Sequence, residues 1–62
     1  MRNKLKMYRT KEGISQEKLS KKVNVSRQTI NAIENNKYDP TLSLAFKLAK
    51  VFNITVDELF TS

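Results

Sequence analysis

Apolar residues recur along the 62-residue chain at spacings of three and four, and strict alternation is scarce, which predicts an all-helical chain. The first helix is expected over about residues 3–12, with Leu5, Tyr8 and Met7 as candidates for its inner face. Gly13 follows as the left-handed residue that ends it. Ser15 is placed to cap a second helix over residues 16–23, and Ser26 a third over 27–35. Thr55 is placed to cap a short last one. Each cap has an apolar residue before it and another four beyond: Ile14 with Leu19, Val25 with Ile30, Ile54 with Leu59. These are hydrophobic staples, and Glu58 completes a capping box with Thr55.

The stretch from Asn35 to Pro40, NNKYDP, is a loop of turn formers, and Asp39 is held extended by the proline after it. Thr41 then caps a fourth helix running to about Phe52. Only Ser43, Lys47 and Lys50 interrupt its apolar residues, so it is expected to be buried on more than one side. Either it is the central helix or part of it meets a partner subunit.

The length fits one domain, residues 1–62, near the lower limit for folding on a hydrophobic core alone. With no cysteine and no histidine, disulfides, thiolate metal sites and the usual general base are excluded. Six scattered acids offer no defensible catalytic or metal-ligand pair, so neither an enzyme nor a bound cofactor is expected. No apolar run suits a membrane span, and the basic start lacks the apolar stretch of a signal peptide; a cytoplasmic protein is expected.

Charge divides the chain. Met1 to Lys37 carries ten Lys/Arg against three Asp/Glu, a net of +7, whereas Tyr38 to Ser62 carries two against three, a net of −1. A basic part joined to a nearly neutral part suits a polyanion on one face and something else on another. A membrane surface would also attract the lysines of the first two helices. It would not require the capped polar segment from Arg27 to Asn31, and an interfacial helix needs a broader apolar face.

A two-turn helix, a tight turn and a further short helix form a helix-turn-helix, expected over residues 15–35. Asn24 occupies the turn position that requires left-handed backbone. With Leu19, Val23, Val25, Ile30 and Ile33 inward, Arg27, Gln28, Thr29 and Asn31 face outward. Arginine offers a fork to guanine O6 and N7; glutamine and asparagine offer a donor–acceptor pair to adenine N6 and N7.

The chain from Leu5 to Phe60 resembles the Cro and phage-repressor type of helix-turn-helix domain, the XRE family. The residues that carry the resemblance are YR at 8–9, GISQEKLS at 13–20, VSRQTINAIENNK at 25–37, Pro40-Thr41 and LAKVFNITVDELF at 48–60. It implies a compact five-helix, lambda-repressor-like fold, and a homodimer that places its third helix in the major groove of a palindromic operator in double-stranded DNA, as a transcriptional regulator and most simply a repressor. It further implies base contacts from Arg27, Gln28 and Asn31. Phosphate contacts fall to Gln16, Thr29, Asn35, Asn36, Lys37 and Tyr38, with Gln16 also bracing the tip of the third helix. Arg9 and Glu34 match a structural ion pair tying the first helix to the end of the third. Asn24 and Asn36 depart from the commoner glycine but keep left-handed backbone accessible.

Two-fold pairing needs an apolar interface. It is expected in the C-terminal region, residues 51–62, with Phe52, Ile54 and Leu59 closing the core and Val51, Val56 and Phe60 meeting the partner. With no effector domain in the sequence, any signal is expected to act through the dimer, the DNA or another protein. A protein-interaction module on the same fold, such as an antitoxin that also autoregulates its operon, is the alternative.

Overall fold

The computed structural model describes residues 2–61. Met1 and Ser62, which bound the expected domain, lie outside the described residues. Five helices follow in order: α1 (Leu5–Lys11), α2 (Gln16–Lys22), α3 (Arg27–Glu34), α4 (Leu42–Val51) and α5 (Val56–Leu59). Short strands β1 (Arg2–Asn3) and β2 (Phe60–Thr61) pair antiparallel, Arg2 opposite Thr61 and Asn3 opposite Phe60.

One local device builds most of this architecture. The four helices α1 to α4 end on a residue with positive φ, namely Gly13 (71°), Asn24 (59°), Asn36 (59°) and Asn53 (55°). In each case the next residue's N–H turns back to a carbonyl in the last turn: Ile14 to Arg9, Val25 to Ser20, Lys37 to Ala32 and Ile54 to Ala49, at 2.9–3.2 Å. These are Schellman closures, which satisfy carbonyls the helix leaves unpaired. In three of the four the residue that closes one helix is apolar and directly precedes the cap of the next, giving GIS at 13–15, NVS at 24–26 and NIT at 53–55. The caps are present: Ser15, Ser26 and Thr55 accept from the N–H of Lys18, Thr29 and Glu58 at 3.0–3.1 Å. Glu58 Oε1 also accepts from the Thr55 N–H at 3.0 Å. After α3 the closing residue is Lys37, which has no apolar side chain to staple, and the chain runs on as a loop until Thr41 accepts from Leu44 N–H at 3.2 Å.

Each of the five helices sends at least one side chain into a single core. Leu5, Leu19, Ile30, Ile33, Leu48 and Leu59 are fully buried. Ile14, Val25 and Ile54 pack partly buried against that cluster, as staples should. Tyr8 and Phe52, with ring centroids 5.9 Å apart, join α1 to the end of α4.

The structure differs from the sequence expectation in three respects. The chain is not wholly helical: Asn3 is in β1 rather than α1. Its Oδ1 accepts the Leu5 N–H at 3.0 Å, and Lys4 N–H is drawn to the Leu59 carbonyl at 2.8 Å. Met7 is half exposed rather than inward, because at about 100° per residue it stands roughly 200° from Leu5. Finally, α4 is buried on one side only. Leu44, Ala45, Leu48 and Ala49 face the core, while Leu42 (69%) and Phe46 (58%) remain exposed.

Candidate nucleic-acid interface

The short α2 and the tight turn at Asn24 hold α3 at the surface, with Ile30 and Ile33 buried as its inner edge. Ideal helix geometry then puts Arg27, Gln28 and Asn31 within an arc of about 100° on the opposite side. All three are exposed. Neither Arg27 nor Gln28 makes a side-chain hydrogen bond or ion pair among the described residues, so the guanidinium and the carboxamide are free to meet a ligand.

The other end of α3 is anchored. Glu34 carries a carboxylate whose side chain is only 2% exposed, and it meets three N–H donors. Arg9 Nε approaches Oε2 at 2.6 Å, Arg9 Nη2 approaches Oε1 at 3.2 Å, and Gln16 Nε2 donates to Oε1 at 3.0 Å. Arg9 Nη1 also donates to the Ile14 carbonyl at 2.9 Å, so one guanidinium clamps α1, the loop before α2 and the end of α3. Such a pair is shielded from water and fully hydrogen-bonded, which offsets the cost of burying it. The brace from Gln16 thus reaches the C-terminal end of α3, not its tip. One amide hydrogen of Gln16 is used there and the second remains for a phosphate.

The other expected phosphate contacts divide into free and committed groups. Lys37 and Tyr38 are exposed in the loop after α3. Thr29 Oγ1 lies 3.0 Å from the cap hydroxyl of Ser26. Only one of the two O–H groups points away from that bond, and whichever hydroxyl accepts is the one left to donate outward. Asn35 Nδ2 donates to the Asn31 carbonyl at 2.9 Å and to Asn31 Oδ1 at 3.1 Å, which occupies both its hydrogens. Asn36 Oδ1 accepts from Asn3 Nδ2 at 3.2 Å, and Asn3 Nδ2 also donates to the Ile33 carbonyl at 2.8 Å. Asn3 therefore ties the terminal strands to the end of α3. Sequence reasoning missed it, because a lone asparagine before a helix carries no signal for a contact more than thirty residues away.

Setting aside the internal Arg9–Glu34 pair, the chain up to Lys37 presents nine exposed Lys/Arg and two exposed acids, Glu12 and Glu17. This positive charge is spread over β1, α1, α2, the start of α3 and the loop after it, and its exposure leaves it available to a polyanion. Val51, Val56 and Phe60 pack partly buried against the core. The most open apolar surface is instead that of Leu42 and Phe46, flanking the polar stripe of Ser43, Lys47 and Lys50 on α4. That stripe was the available signal: Phe46 falls about 60° from Ser43 on the helix. No helix of the described residues is long and apolar enough to cross a membrane.

Comparison with known proteins agrees with this geometry. Residues 5–59 match the helix-turn-helix family, nearly the whole chain. An uncharacterised HTH-type transcriptional regulator of Methanocaldococcus jannaschii is 57% identical over 60 residues, covering 97% of this chain and 91% of that protein. Among solved structures, the restriction-modification controller protein C.AhdI of Aeromonas hydrophila superposes with a TM-score of 0.82 at 32% identity, covering 90% of this chain and 85% of that one. The N-terminal DNA binding domain of SinR from Bacillus subtilis gives 0.76 at 28%, covering 84% and 77%. With its capped α2 and α3, its outward polar tip and these relatives, the chain belongs to the XRE-type helix-turn-helix family of transcriptional regulators.

Proposed function

We propose that the protein is a repressor that binds a palindromic operator in double-stranded DNA as a homodimer, with α3 of each copy in the major groove. Membership of its family makes it a DNA-binding regulator rather than an enzyme. The observation that carries the finer reading is the pair Arg27 and Gln28 at the tip of α3, beside Asn31: both side chains of the pair are exposed and have no partner among the described residues. Those side chains choose bases; Gln16, Thr29, Asn36, Lys37, Tyr38 and the surrounding lysines supply phosphate affinity.

Size supports pairing. The Cα frame measures 25 × 22 × 19 Å, shorter than the roughly 34 Å turn that separates two half-sites on one DNA face. One copy reads one half-site, and two copies related by a two-fold axis read a palindrome. The apolar side chains open to that contact are Val51, Val56 and Phe60, partly buried against the core, and the more exposed Leu42 and Phe46, which stand on another side of α4. Repression is the simplest outcome, since occupying an operator needs only this DNA-binding surface, whereas activation needs a further contact to the transcription machinery.

Selection of bound fragments from random duplex DNA tests this reading. An enriched motif with two-fold symmetry and half-sites about one helical turn apart is expected. Sedimentation of the free protein should show a dimer that Phe46→Glu dissociates. An unstructured pool after selection, or a monomer that binds a single asymmetric site, would overturn it.

A further inference from the structure

Resting on the reading that the outer face of α3 meets base edges, we propose that Asn35 is a positioning residue for base choice. It fixes the carboxamide of Asn31 with the oxygen turned toward Asn35, so that Asn31 offers hydrogen-bond donors to the groove. The base edge this selects is one made of acceptors, guanine N7 and O6, in preference to an edge carrying an amino group.

The contacts leave little freedom. Asn35 Nδ2 lies 2.9 Å from the main-chain carbonyl oxygen of Asn31. A carbonyl only accepts, so the end of the Asn35 amide facing it must be the NH2. The same NH2 lies 3.1 Å from the side-chain amide of Asn31, so the atom it meets there must be oxygen. Turning the Asn31 amide over would set two NH2 groups against each other and lose the bond. Both hydrogens of Asn35 are thereby used, and what remains of its amide is an oxygen, which cannot bind a phosphate oxygen. Asn31 keeps both N–H groups of its own Nδ2, with no partner for them among the described residues, on an exposed position.

Placement makes this relevant to recognition. Asn31 follows Gln28, and Asn35 follows Asn31, at steps of about one turn along the outer face, so Asn35 stands behind the reading residue and not beyond it. An unrestrained asparagine pairs with adenine by accepting from N6 while donating to N7. With one lone pair of its oxygen taken and that oxygen held on the Asn35 side, Asn31 turns its NH2 the other way and suits two acceptors better than the adenine amino group. The choice of base is set by a residue that need not touch the base at all.

The test is selection from random duplex DNA with the full chain and its Asn31→Ala, Asn35→Ala and Asn35→Asp variants, each first shown to be folded by thermal melting. The base pair whose preference vanishes in Asn31→Ala is the one Asn31 reads. There the unaltered protein should favour guanine over adenine by about fivefold or more, the lower end of what one good base contact gives. Asn35→Ala frees the amide to turn and should bring the two bases to within about twofold. Asn35→Asp offers a carboxylate that draws the Asn31 NH2 inward, so preference should pass to adenine or cytosine, whose amino groups donate. A wild-type preference for adenine at that position overturns the proposal. So do Asn35 variants that weaken all sequences equally and keep the same base. If Asn31→Ala changes no position while Arg27→Ala does, only this inference fails. If neither they nor Gln28→Ala change any preference, the reading of α3 as the groove helix has failed as well.

Discussion

The two ends of α3, Arg27 and Glu34, are seven residues apart in sequence and opposite in character. At the start, the side chains of Arg27 and Gln28 are exposed and have no bonding partner among the described residues; at the end, the Glu34 carboxylate is buried under three N–H donors from Arg9 and Gln16. One end spends its polar groups on the fold and the other withholds them. On the proposed reading, stability and recognition are separated along a single short helix: the rigid end aims the free end. A side chain held by internal bonds has a fixed direction but little left for a ligand, whereas an unbonded one keeps its donors and needs its backbone held for it.

Substitutions at the two ends should therefore fail differently. The largest effect is expected from Arg9→Ala, which leaves the Glu34 charge buried with only Gln16 to satisfy it. A loss of about 3–5 kcal/mol, close to the whole stability of so small a domain, should appear in denaturant unfolding. If the midpoint hardly moves, the buried pair is not what anchors α3. Next comes Arg27→Ala at the free end, which should cost about 1–3 kcal/mol of binding to the selected operator and far less on random DNA. Its folding stability should stay within roughly 0.5 kcal/mol, because an exposed, unbonded side chain contributes little. Titration of both DNAs together with a melting curve checks the pair of statements; equal losses on both DNAs would reduce Arg27 to a backbone contact.

A smaller, uniform effect is expected just past the anchored end. Lys37→Ala should weaken binding to all sequences alike and lower the salt slope by about one unit, without altering the selected motif. A changed motif would extend the reading surface beyond α3. The smallest effect sharpens the role of the left-handed positions that set both ends in place. Asn24→Gly should change stability by less than about 1 kcal/mol, whereas Asn24→Ala should cost about 1–2 kcal/mol, since alanine resists positive φ. Chemical unfolding of the two variants separates backbone geometry from any side-chain role.

Much of the fold could be read before any coordinates because its signals are local. Ser15, Ser26, Thr41 and Thr55 each bond a backbone N–H three residues ahead, and Gly13, Asn24 and Asn36 take the left-handed backbone that their position after a helix suggests. Asn53 carries the same signal, since NIT at 53–55 repeats the pattern of NVS at 24–26, but the closure geometry is what connects the two. The identity of the outward residues on α3 followed from its period in the same way.

The sequence by itself determined where α2 to α5 start, where α1 to α3 stop and which polar side chains α3 turns outward, because caps, staples and left-handed residues act within a few positions of themselves. Only the tertiary structure decided what depends on distant partners. The pairing of β1 with β2, the reach of Asn3 to Asn36 and of Gln16 to Glu34, and the exposure of Leu42 and Phe46 all belong there. An apolar or amide side chain is compatible with several neighbours, and which one it meets is fixed only when the helices close around their shared core.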